Sequence, residues 1–272
     1  MKVFCILSDS RAFRAKSPAM HTAVLHKVGI DGVYVPFMVE PECVGDAVRG
    51  LRALNVAGAN VTVPYKETVM PFLDRLAAEA EAIGAVNTIV PGPEGLTGYN
   101  TDAGGFMEAL ESVGFSAAGK TALVFGTGGA AKGVAHVLAS VGGAKVLLAG
   151  RGEERTREVA RRVGAEARRL DSLFKGPVAA ELVINATPVS NFRESPELAD
   201  KLDRLEVPGC ELVVDLNYGR LENFWWDLAA KVGARFMDGL PMLVHQARLS
   251  FALWTGTKVD ASLFMQALEE SL

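Results

Sequence analysis

The sequence is poor in cysteine and histidine, the side chains that most often hold metals. Its three cysteines, Cys5, Cys43 and Cys210, are widely spaced, and only four histidines are present. The cysteines are odd in number and form no C-x-x-C pair, so neither a disulfide framework nor a zinc site is indicated. Each cysteine lies in an apolar stretch, which predicts three buried free thiols. We therefore expect a protein of a reducing, cytoplasmic compartment without a metal site.

The sequence also lacks long apolar runs and blocks of one charge. The first apolar run, KVFCIL at residues 2–7, is too short for a signal sequence or a membrane span and suits a buried strand. The formal net charge is −4, with both signs mixed along the chain. No basic block is present to neutralise nucleic-acid phosphates. These features predict no membrane partner and no nucleic-acid partner.

What is present is the composition of a folded protein, with 49% apolar and 22% charged residues. Short apolar runs alternate with segments of helical period. The pattern predicts strands at residues 2–7, 32–39 and 58–63, with helices at 17–29 and 41–55 between them. That order indicates a mostly parallel sheet covered by helices, followed by two extended pieces within 86–100 joined at a turn.

A second series of strands and helices follows Ala103. Strands are predicted at 121–126, 144–150, 181–187 and 210–216, helices at 130–143 and 153–164, and only helices from Gly239 onward. A chain of 272 residues is long enough for two domains. We therefore predict a two-domain α/β protein with a first domain at 1–102 and a second at 103–238. The helices of 239–272 are expected to pack back on the first domain.

The sequence VFGTGGAAKG, residues 124–133, resembles a dinucleotide-binding fingerprint. Gly126, Gly128 and Ala131 occupy its three small-residue positions, between a predicted strand and a predicted helix. Small residues there let backbone amides approach a pyrophosphate at the start of the helix. The second domain is therefore expected to be of the Rossmann type; the alternative is a tight structural turn without a ligand.

The end of the next strand indicates which nucleotide is bound. Proteins that bind NAD usually carry a carboxylate there, whereas Arg151 follows this strand and Arg155 lies one helical turn later. Guanidinium groups bind a 2′-phosphate bidentately, so the pattern favours NADP over NAD. Glu153 and Glu154 lie between the two arginines, and the alternative is that both arginines are solvated residues at a helix start.

Transfer of a hydride to or from an alcohol requires a group that handles the hydroxyl proton. No Tyr-x-x-x-Lys pair accompanies the nucleotide domain, so we expect the first domain to supply this chemistry through Lys66, Asp102 and Asn87. Each has a plainer alternative. Asp102 could cap a helix that begins at Ala103, Lys66 could be solvated, and Asn87 could be a turn residue.

Six motifs together resemble one family. They are GANVTVPYKE, AIGAVNT, GYNTDAGG, FGTGGAAKG, INATP and MLVHQA, at residues 58–67, 82–88, 98–105, 125–133, 184–188 and 242–247. In this order and spacing the chain is similar, over nearly its whole length, to the shikimate dehydrogenase family. The resemblance implies a substrate-binding catalytic domain and an NADP-binding domain, with the reaction in a cleft between them. It implies interconversion of 3-dehydroshikimate and shikimate with NADPH, by a monomer or a homodimer.

The resemblance also assigns roles residue by residue. Lys66 and Asp102 match the family's catalytic pair. The expected substrate contacts are Ser17, Asn60, Thr62, Asn87, Tyr218 and Gln246, where Gln246 could instead be a polar spot on an apolar helix. The expected cofactor contacts are Gly126, Thr127, Gly128, Gly129, Ala130, Arg151, Arg155, Thr187 and Gly239.

Three departures from the family pattern bear on the substrate. Ala15 stands where a first carboxylate-binding serine is usual, and we hypothesise that Arg14 or Lys16 replaces it. Residues 188–193 and 217–226 also differ, and the latter end in Phe-Trp-Trp. That aromatic run indicates either a helix packed on the sheet or an altered rim near the nicotinamide. The alternatives left open are quinate, an aminoshikimate or another polyol acid as substrate, or a non-catalytic sensor of NADP or a metabolite.

Overall fold

The computed structural model describes residues 1–270, which form two compact units. The first unit comprises residues 1–105 together with the chain from Val244 onward, and the second comprises Phe106–Leu243. The chain passes between the units within two helices. In chain order the strands are β1 (Lys2–Ser8), β2 (Gly32–Met38), β3 (Gly58–Val61), β4 (Arg75–Leu76), β5 (Thr88–Gly92), β6 (Gly95–Tyr99), β7 (Thr121–Phe125), β8 (Lys145–Gly150), β9 (Glu166–Arg169), β10 (Leu182–Asn185), β11 (Leu212–Asp215) and β12 (Arg235–Met237). The helices are α1 (Ser17–Lys27), α2 (Val44–Ala53), α3 (Ala78–Ile83), α4 (Thr101–Ser112), α5 (Gly129–Ser140), α6 (Glu153–Val163), α7 (Pro196–Leu202), α8 (Phe224–Val232), α9 (Leu240–Thr255) and α10 (Ala261–Glu269).

The sheet of the first unit has six strands in the order β2-β1-β3-β5-β6-β4. β1 pairs in parallel with β2 and β3, as the alternation of strands and helices predicted. β5 and β6 form an antiparallel hairpin closed by the two residues Pro93 and Glu94, and β5 is also antiparallel to β3. Because so short a turn can join only antiparallel strands, the sheet is mixed. Its pairings are mostly parallel as predicted, since β4 also pairs in parallel with β6.

The first unit has a buried apolar core on its sheet. Val48 and Leu51 of α2 belong to the same buried cluster as Val61, Val86 and Ile89, all nearly inaccessible to solvent. Burial of side chains of this size stabilises a fold by roughly 1.5 to 3 kcal/mol each. A rigid core beneath the strand ends gives the polar residues that follow them fixed positions.

The second unit contains a six-stranded parallel sheet in the order β12-β11-β10-β7-β8-β9. This is the strand order of a doubly wound dinucleotide-binding fold, in which ligands lie at the carboxyl ends of the strands next to the point where the order reverses. The four predicted strands are confirmed as β7, β8, β10 and β11. The edge strands β9 and β12 were not predicted, because β9 is largely polar and β12 has only three residues.

The aromatic run at Phe224–Trp226 begins α8. Trp225 is fully buried, with its ring centroid 4.9 Å from that of Phe125 at the end of β7, whereas Trp226 is exposed. The interpretation as a helix packed on the sheet therefore applies to Trp225.

The prediction of three buried thiols is correct for Cys5 and Cys210 and wrong for Cys43, which is exposed. Cys43 ends a short 3-10 turn ahead of α2, and the core is reached only by the next residue, Val44. Among the helices of residues 1–270, none combines the length and apolar character needed to cross a bilayer.

Candidate active site

The segment NVTVPYKE leaves the sheet at the carboxyl end of β3. The strand stops at Val61, and turns, not a helix, carry the chain to Lys66. This stretch is held firmly, because the Tyr65 hydroxyl donates to Val39 O at 2.5 Å and Val86 N donates to Lys66 O at 2.8 Å. The second bond ties Lys66 to the segment that carries Asn87.

Lys66 forms a largely buried ion pair with Asp102. The distance from Lys66 Nζ to Asp102 Oδ2 is 2.6 Å, and the two side chains are 11% and 7% exposed. Asp102 lies in the first turn of α4, where the helix dipole favours a negative charge. The suggestion that Asp102 caps this helix is wrong. Asn100 is the cap, since its Oδ1 accepts from Asp102 N at 3.1 Å and Ala103 N at 3.3 Å.

Asn87 holds the other oxygen of the same carboxylate. Its Nδ2 donates to Asp102 Oδ1 at 2.9 Å and lies 3.4 Å from Gln246 Oε1. Its Oδ1 accepts from Thr101 N at 2.7 Å. A backbone N–H can only donate, so this contact fixes which end of the amide is oxygen. Asp102 thus receives one ammonium and one amide donor, leaving the Lys66 ammonium two further protons for a ligand.

A set of buried polar side chains, here termed the polar layer, lies beside Asn87. It consists of Asn60, Thr88, Thr101 and Ser250. Asn60 Nδ2 lies 3.0 Å from Asn87 O, 3.1 Å from Thr88 Oγ1 and 3.1 Å from Ser250 Oγ, and Asn60 Oδ1 accepts from the Tyr34 hydroxyl at 2.8 Å. Both ends of the Asn60 amide are therefore occupied within the protein, although the sequence predicted it as a substrate contact.

The first unit also contains three other residues that were predicted to contact the substrate. Thr62 follows β3 directly, and Ser17 opens α1. Within residues 1–270 neither hydroxyl makes a hydrogen bond to another side chain or to the backbone. Gln246 is buried on α9, where Asn87 reaches it.

Charged residues also lie at the carboxyl end of β1. Hydrogen bonds and charge from Arg11 lower the pKa of Asp9 to about 2, and their closest contact is 2.6 Å. In the part of the chain that the structure describes, Arg14 and Lys16 have no ion-pair partner. Two uncompensated cations therefore flank Ala15, beside Ser17.

The second unit places the predicted glycine-rich segment between β7 and α5. Gly126 has a φ of +122°, and a Cβ there would lie 2.7 Å from Ala186 O, so only glycine fits. Gly128 is the N-cap of α5 and no side chain caps it. The first amides of this twelve-residue helix therefore have no side-chain acceptor at the cap. Thr127, Gly129 and Ala130 complete the segment.

The two predicted phosphate-binding arginines follow β8. Arg151 is exposed, and no ion-pair partner for it exists among the first 270 residues. Arg155, in the first turn of α6, lies 3.1 Å from Glu158. The residues therefore fit an NADP molecule: a glycine turn without a Cβ, a helix start without a side-chain cap, and a free guanidinium.

Thr187, Tyr218 and Gly239 follow β10, β11 and β12. Thr187 Oγ1 donates to Asn185 Oδ1 at 2.6 Å, and a Cβ on Gly239 would lie 2.1 Å from Leu216 O. Tyr218 is half-buried in the second unit, so its relation to the residues around Lys66 stays a prediction.

Hydrogen bonds at and around buried Asp215 hold the two divergent segments of this unit. Its Oδ1 accepts from Asn185 Nδ2 at 2.8 Å, and its Oδ2 accepts from Asn223 Nδ2 at 2.7 Å. The indole N–H of Trp225 donates to Val189 O at 3.1 Å. The departures at 188–193 and 217–226 are therefore matched to each other by hydrogen bonds.

Family models match three parts of the chain. They describe the shikimate dehydrogenase substrate binding domain at residues 12–89, shikimate / quinate 5-dehydrogenase at 108–220, and the shikimate 5′-dehydrogenase C-terminal domain at 239–269. A shikimate dehydrogenase (NADP(+)) of Desulforamulus reducens is 38% identical over 265 residues, covering 94% of this chain and 91% of the relative. The chain belongs to the shikimate dehydrogenase family.

Other members of the shikimate dehydrogenase family match over similar lengths. The Pyrococcus abyssi shikimate dehydrogenase (NADP(+)) is 37% identical, covering 100% of this chain and 99% of its own. The Thermus thermophilus enzyme in complex with NADP(H) and shikimate superposes with a TM-score of 0.87 at 34% identity over 100% of both chains. A quinate dehydrogenase of Corynebacterium glutamicum in complex with NAD gives 0.86 at 26% identity over 99% of both chains. The resemblance and the predicted α/β architecture are confirmed.

The sequence did not single out several residues that build this site. Thr88, Thr101 and Ser250 of the polar layer were missed, as was Tyr34. A signal existed for two of them. Thr101 directly precedes Asp102. Ser250 lies four residues after Gln246, and this spacing places Gln246 and Ser250 on the same face of α9.

Proposed function

We propose that this protein is an NADP-dependent shikimate dehydrogenase, which reversibly reduces 3-dehydroshikimate to shikimate. The observation that carries the proposal is the Lys66–Asp102 pair, 2.6 Å apart and largely buried, with Asn87 on the second carboxylate oxygen. Membership of a family whose relatives bear this activity in their names supports it.

Lys66 and Asp102 handle the proton and the charge at the reacting oxygen. When NADP is bound it supplies the hydride acceptor or donor. In the reducing direction the Lys66 ammonium donates to the carbonyl oxygen, stabilises the negative charge that develops there and supplies a proton. In the oxidising direction the pair receives the hydroxyl proton. Asp102 keeps the ammonium oriented, and Asn87 keeps Asp102 from rotating away.

We assign recognition of the ring hydroxyls to Thr62, Asn87 and Gln246, whose side chains offer both donors and acceptors. Asn60 has a supporting role, because its amide is engaged by Tyr34 and the polar layer. Ser17, with Arg14 or Lys16, binds the substrate carboxylate. A cation there offsets the hydrogen bond that Ala15 does not provide.

We assign the nucleotide to the glycine-rich segment and to Arg151. Backbone amides at the start of α5 bind the pyrophosphate, and the absence of a Cβ on Gly126 allows the close approach. Arg151 and Arg155 bind the 2′-phosphate, with Arg151 free and Arg155 shared with Glu158. Thr187 and Gly239 follow neighbouring strand ends and are assigned to the nicotinamide half, and Tyr218 is assigned to the substrate.

A related polyol acid such as quinate is a second candidate substrate. The observations that favour it are Ala15 in the carboxylate motif and the fold similarity to a quinate dehydrogenase. A non-catalytic sensor is less well supported, since such a protein would not need a buried lysine–carboxylate pair.

Initial rates of NADP and NAD reduction, with shikimate and quinate compared side by side, test the proposal. We expect shikimate and NADP to give the highest kcat/KM and Lys66→Ala to abolish turnover while leaving NADP binding intact. Preference for quinate would move the assignment to the second candidate. Binding of NADP without turnover of either acid would favour the sensor.

A further inference from the structure

Ser250 occupies the centre of the polar layer. It lies on α9, fully buried, and its Oγ donates to Gln246 O at 3.0 Å. The same oxygen lies 2.8 Å from Thr88 Oγ1, 3.0 Å from Thr101 Oγ1 and 3.1 Å from Asn60 Nδ2. When its own proton is given to Gln246 O, Ser250 can accept from at most two of these three groups, because a hydroxyl oxygen has two lone pairs.

The two threonine hydroxyls have several acceptors within reach. Asn87 Oδ1 lies 3.0 Å from Thr88 Oγ1 and 3.2 Å from Thr101 Oγ1, Ser250 lies near both, and the two hydroxyls are 3.2 Å apart. Asn87 Oδ1 already accepts from Thr101 N at 2.7 Å. Ser250 therefore offers these hydroxyl protons an acceptor other than Asn87 Oδ1, which already accepts from a backbone N–H.

The direction of the Asn87 amide matters because its other end meets Asp102. Asn87 Nδ2 donates to Asp102 Oδ1 at 2.9 Å and to Thr101 Oγ1 at 2.9 Å. A rotated amide would place two oxygens against each other at the Asp102 contact and repel the carboxylate. A hydroxyl at position 250 thus helps determine how the Lys66–Asp102 pair is held.

We propose that Ser250 is a positioning residue for the reaction: as a hydrogen-bond partner shared by Thr88, Thr101 and Asn60, it helps the Thr101 N–H to hold the Asn87 amide, and through it the Asp102 carboxylate. The expected effect on kcat rests on the proposed function. The expected effect on the orientation of the Asn87 amide rests only on the geometry of the first unit. Ser250 lies outside the predicted set of catalytic and substrate-binding residues.

The kinetic test compares Ser250→Ala with Ser250→Cys and with Thr255→Ala. Loss of one hydrogen bond in the network predicts a fall in kcat of about 3- to 10-fold in Ser250→Ala, with the KM for NADP unchanged. Ser250→Cys keeps the volume but accepts weakly, so it should resemble Ser250→Ala. Thr255 donates to Phe251 O at 2.8 Å on the same helix without touching the polar layer, so Thr255→Ala should match the wild-type protein.

A double-mutant cycle separates positioning from a general loss of structure. In an Asn87→Ala background, Ser250→Ala should cause no further loss of kcat, because its effect passes through the Asn87 amide. An equal loss in both backgrounds, or full activity of Ser250→Cys, would overturn the proposal.

A spectroscopic readout tests the same point without turnover. The side-chain amide resonances of Asn87, identified by their absence in Asn87→Ala, should shift or broaden in Ser250→Ala and stay in place in Thr255→Ala. Unchanged resonances in Ser250→Ala would overturn the inference. A wild-type protein that reduces no NADP with shikimate would instead overturn the proposed function, and the resonances would still decide the role of Ser250.

Discussion

Lys66 and Asp102 approach each other to 2.6 Å, the same separation as Arg49 and Asp46 on α2, yet the two pairs differ completely in exposure. The side chains are 11% and 7% exposed in the first pair and 66% and 76% exposed in the second. An exposed pair is screened by water, whereas a buried charge that loses its partner keeps its desolvation cost. The distance between the charged atoms therefore does not by itself indicate how much stability is lost when one partner of an ion pair is removed.

Asp102→Asn is expected to lower the free energy of unfolding by about 3 kcal/mol, because it leaves the Lys66 ammonium buried without a countercharge. The same variant should lower kcat by about 10²- to 10⁴-fold. Chemical denaturation and initial rates measure the two effects.

The matched control for stability is Asp46→Asn, for which we expect a loss of less than about 1 kcal/mol. Adding Lys66→Met to Asp102→Asn should recover part of the stability and none of the activity. Equal losses in Asp102→Asn and Asp46→Asn would contradict the burial argument.

His21 predicts a dependence of stability on pH. The imidazole is fully buried between the rings of Tyr34, Trp254 and Phe264, with centroids 4.6, 5.5 and 5.4 Å away, and neither ring nitrogen has a hydrogen-bond partner within residues 1–270. Burial lowers the pKa of His21 from 6.5 to about 3. The unfolded chain therefore binds a proton below about pH 6.5 that the folded protein does not bind. Stability falls from about pH 6.5 to about pH 3, by up to about 1.4 kcal/mol per pH unit.

His21→Phe should remove this dependence while keeping the ring contacts. We expect the free energy of unfolding at pH 7 to rise by about 1 to 3 kcal/mol, since two unsatisfied polar atoms are removed. The measurement is the difference between variant and wild type at pH 7, 6, 5 and 4, in which titration of the carboxylates cancels. His26→Gln, on the exposed face of α1, is the control for loss of an imidazole that is not buried among rings. A flat difference for His21→Phe would show that His21 is not buried in its neutral form.

The sequence predicted the proposed catalytic residues better than the buried residues that surround them with hydrogen bonds. Lys66, Asn87 and Asp102 follow or precede strands at motif positions, and the structure joins them by hydrogen bonds. Ser250 was not predicted, because a serine on an apolar helix gives no local sign of the buried partners it meets. Asn60 was predicted as a substrate contact, but the Tyr34 hydroxyl that engages it comes from a different strand.

Two further features could not be settled from the sequence, one within a local motif and one across the chain. Local propensity allowed Asp102 to be a helix cap, and the observed cap is Asn100, two residues earlier. His21 shares no local pattern with Trp254 and Phe264, which approach it from the other end of the chain. The environment of His21 is therefore determined by contacts that are distant in sequence.

We expect Arg14 or Lys16 to bind the substrate carboxylate in place of the usual first serine. Both cations lack an ion-pair partner within residues 1–270 and flank Ala15. A charge-assisted hydrogen bond contributes roughly 1.5 to 3 kcal/mol, so the variant that removes the responsible cation should raise the KM for shikimate by about 10- to 100-fold. Arg14→Ala and Lys16→Ala are compared by initial rates, with Arg11→Ala as the control because Arg11 is already paired with Asp9 at 2.6 Å. No change in KM for either variant would remove the hypothesis, and Ala15→Ser would then be expected to lower the KM.

Arg151 predicts the choice between NADP and NAD. It is exposed after β8 and has no ion-pair partner in residues 1–270, whereas Arg157 on α6 is paired with Glu153 at 2.8 Å. Loss of a charge-assisted contact to the 2′-phosphate should raise the KM for NADP by about 10- to 100-fold in Arg151→Ala. The KM for NAD should stay unchanged, because NAD has only a hydroxyl at that position. Arg157→Ala, which removes an equal charge from the helix that follows, should change neither value. A rise of equal size for NADP and NAD in Arg151→Ala would mean that this residue supports the fold of the loop and does not read the phosphate.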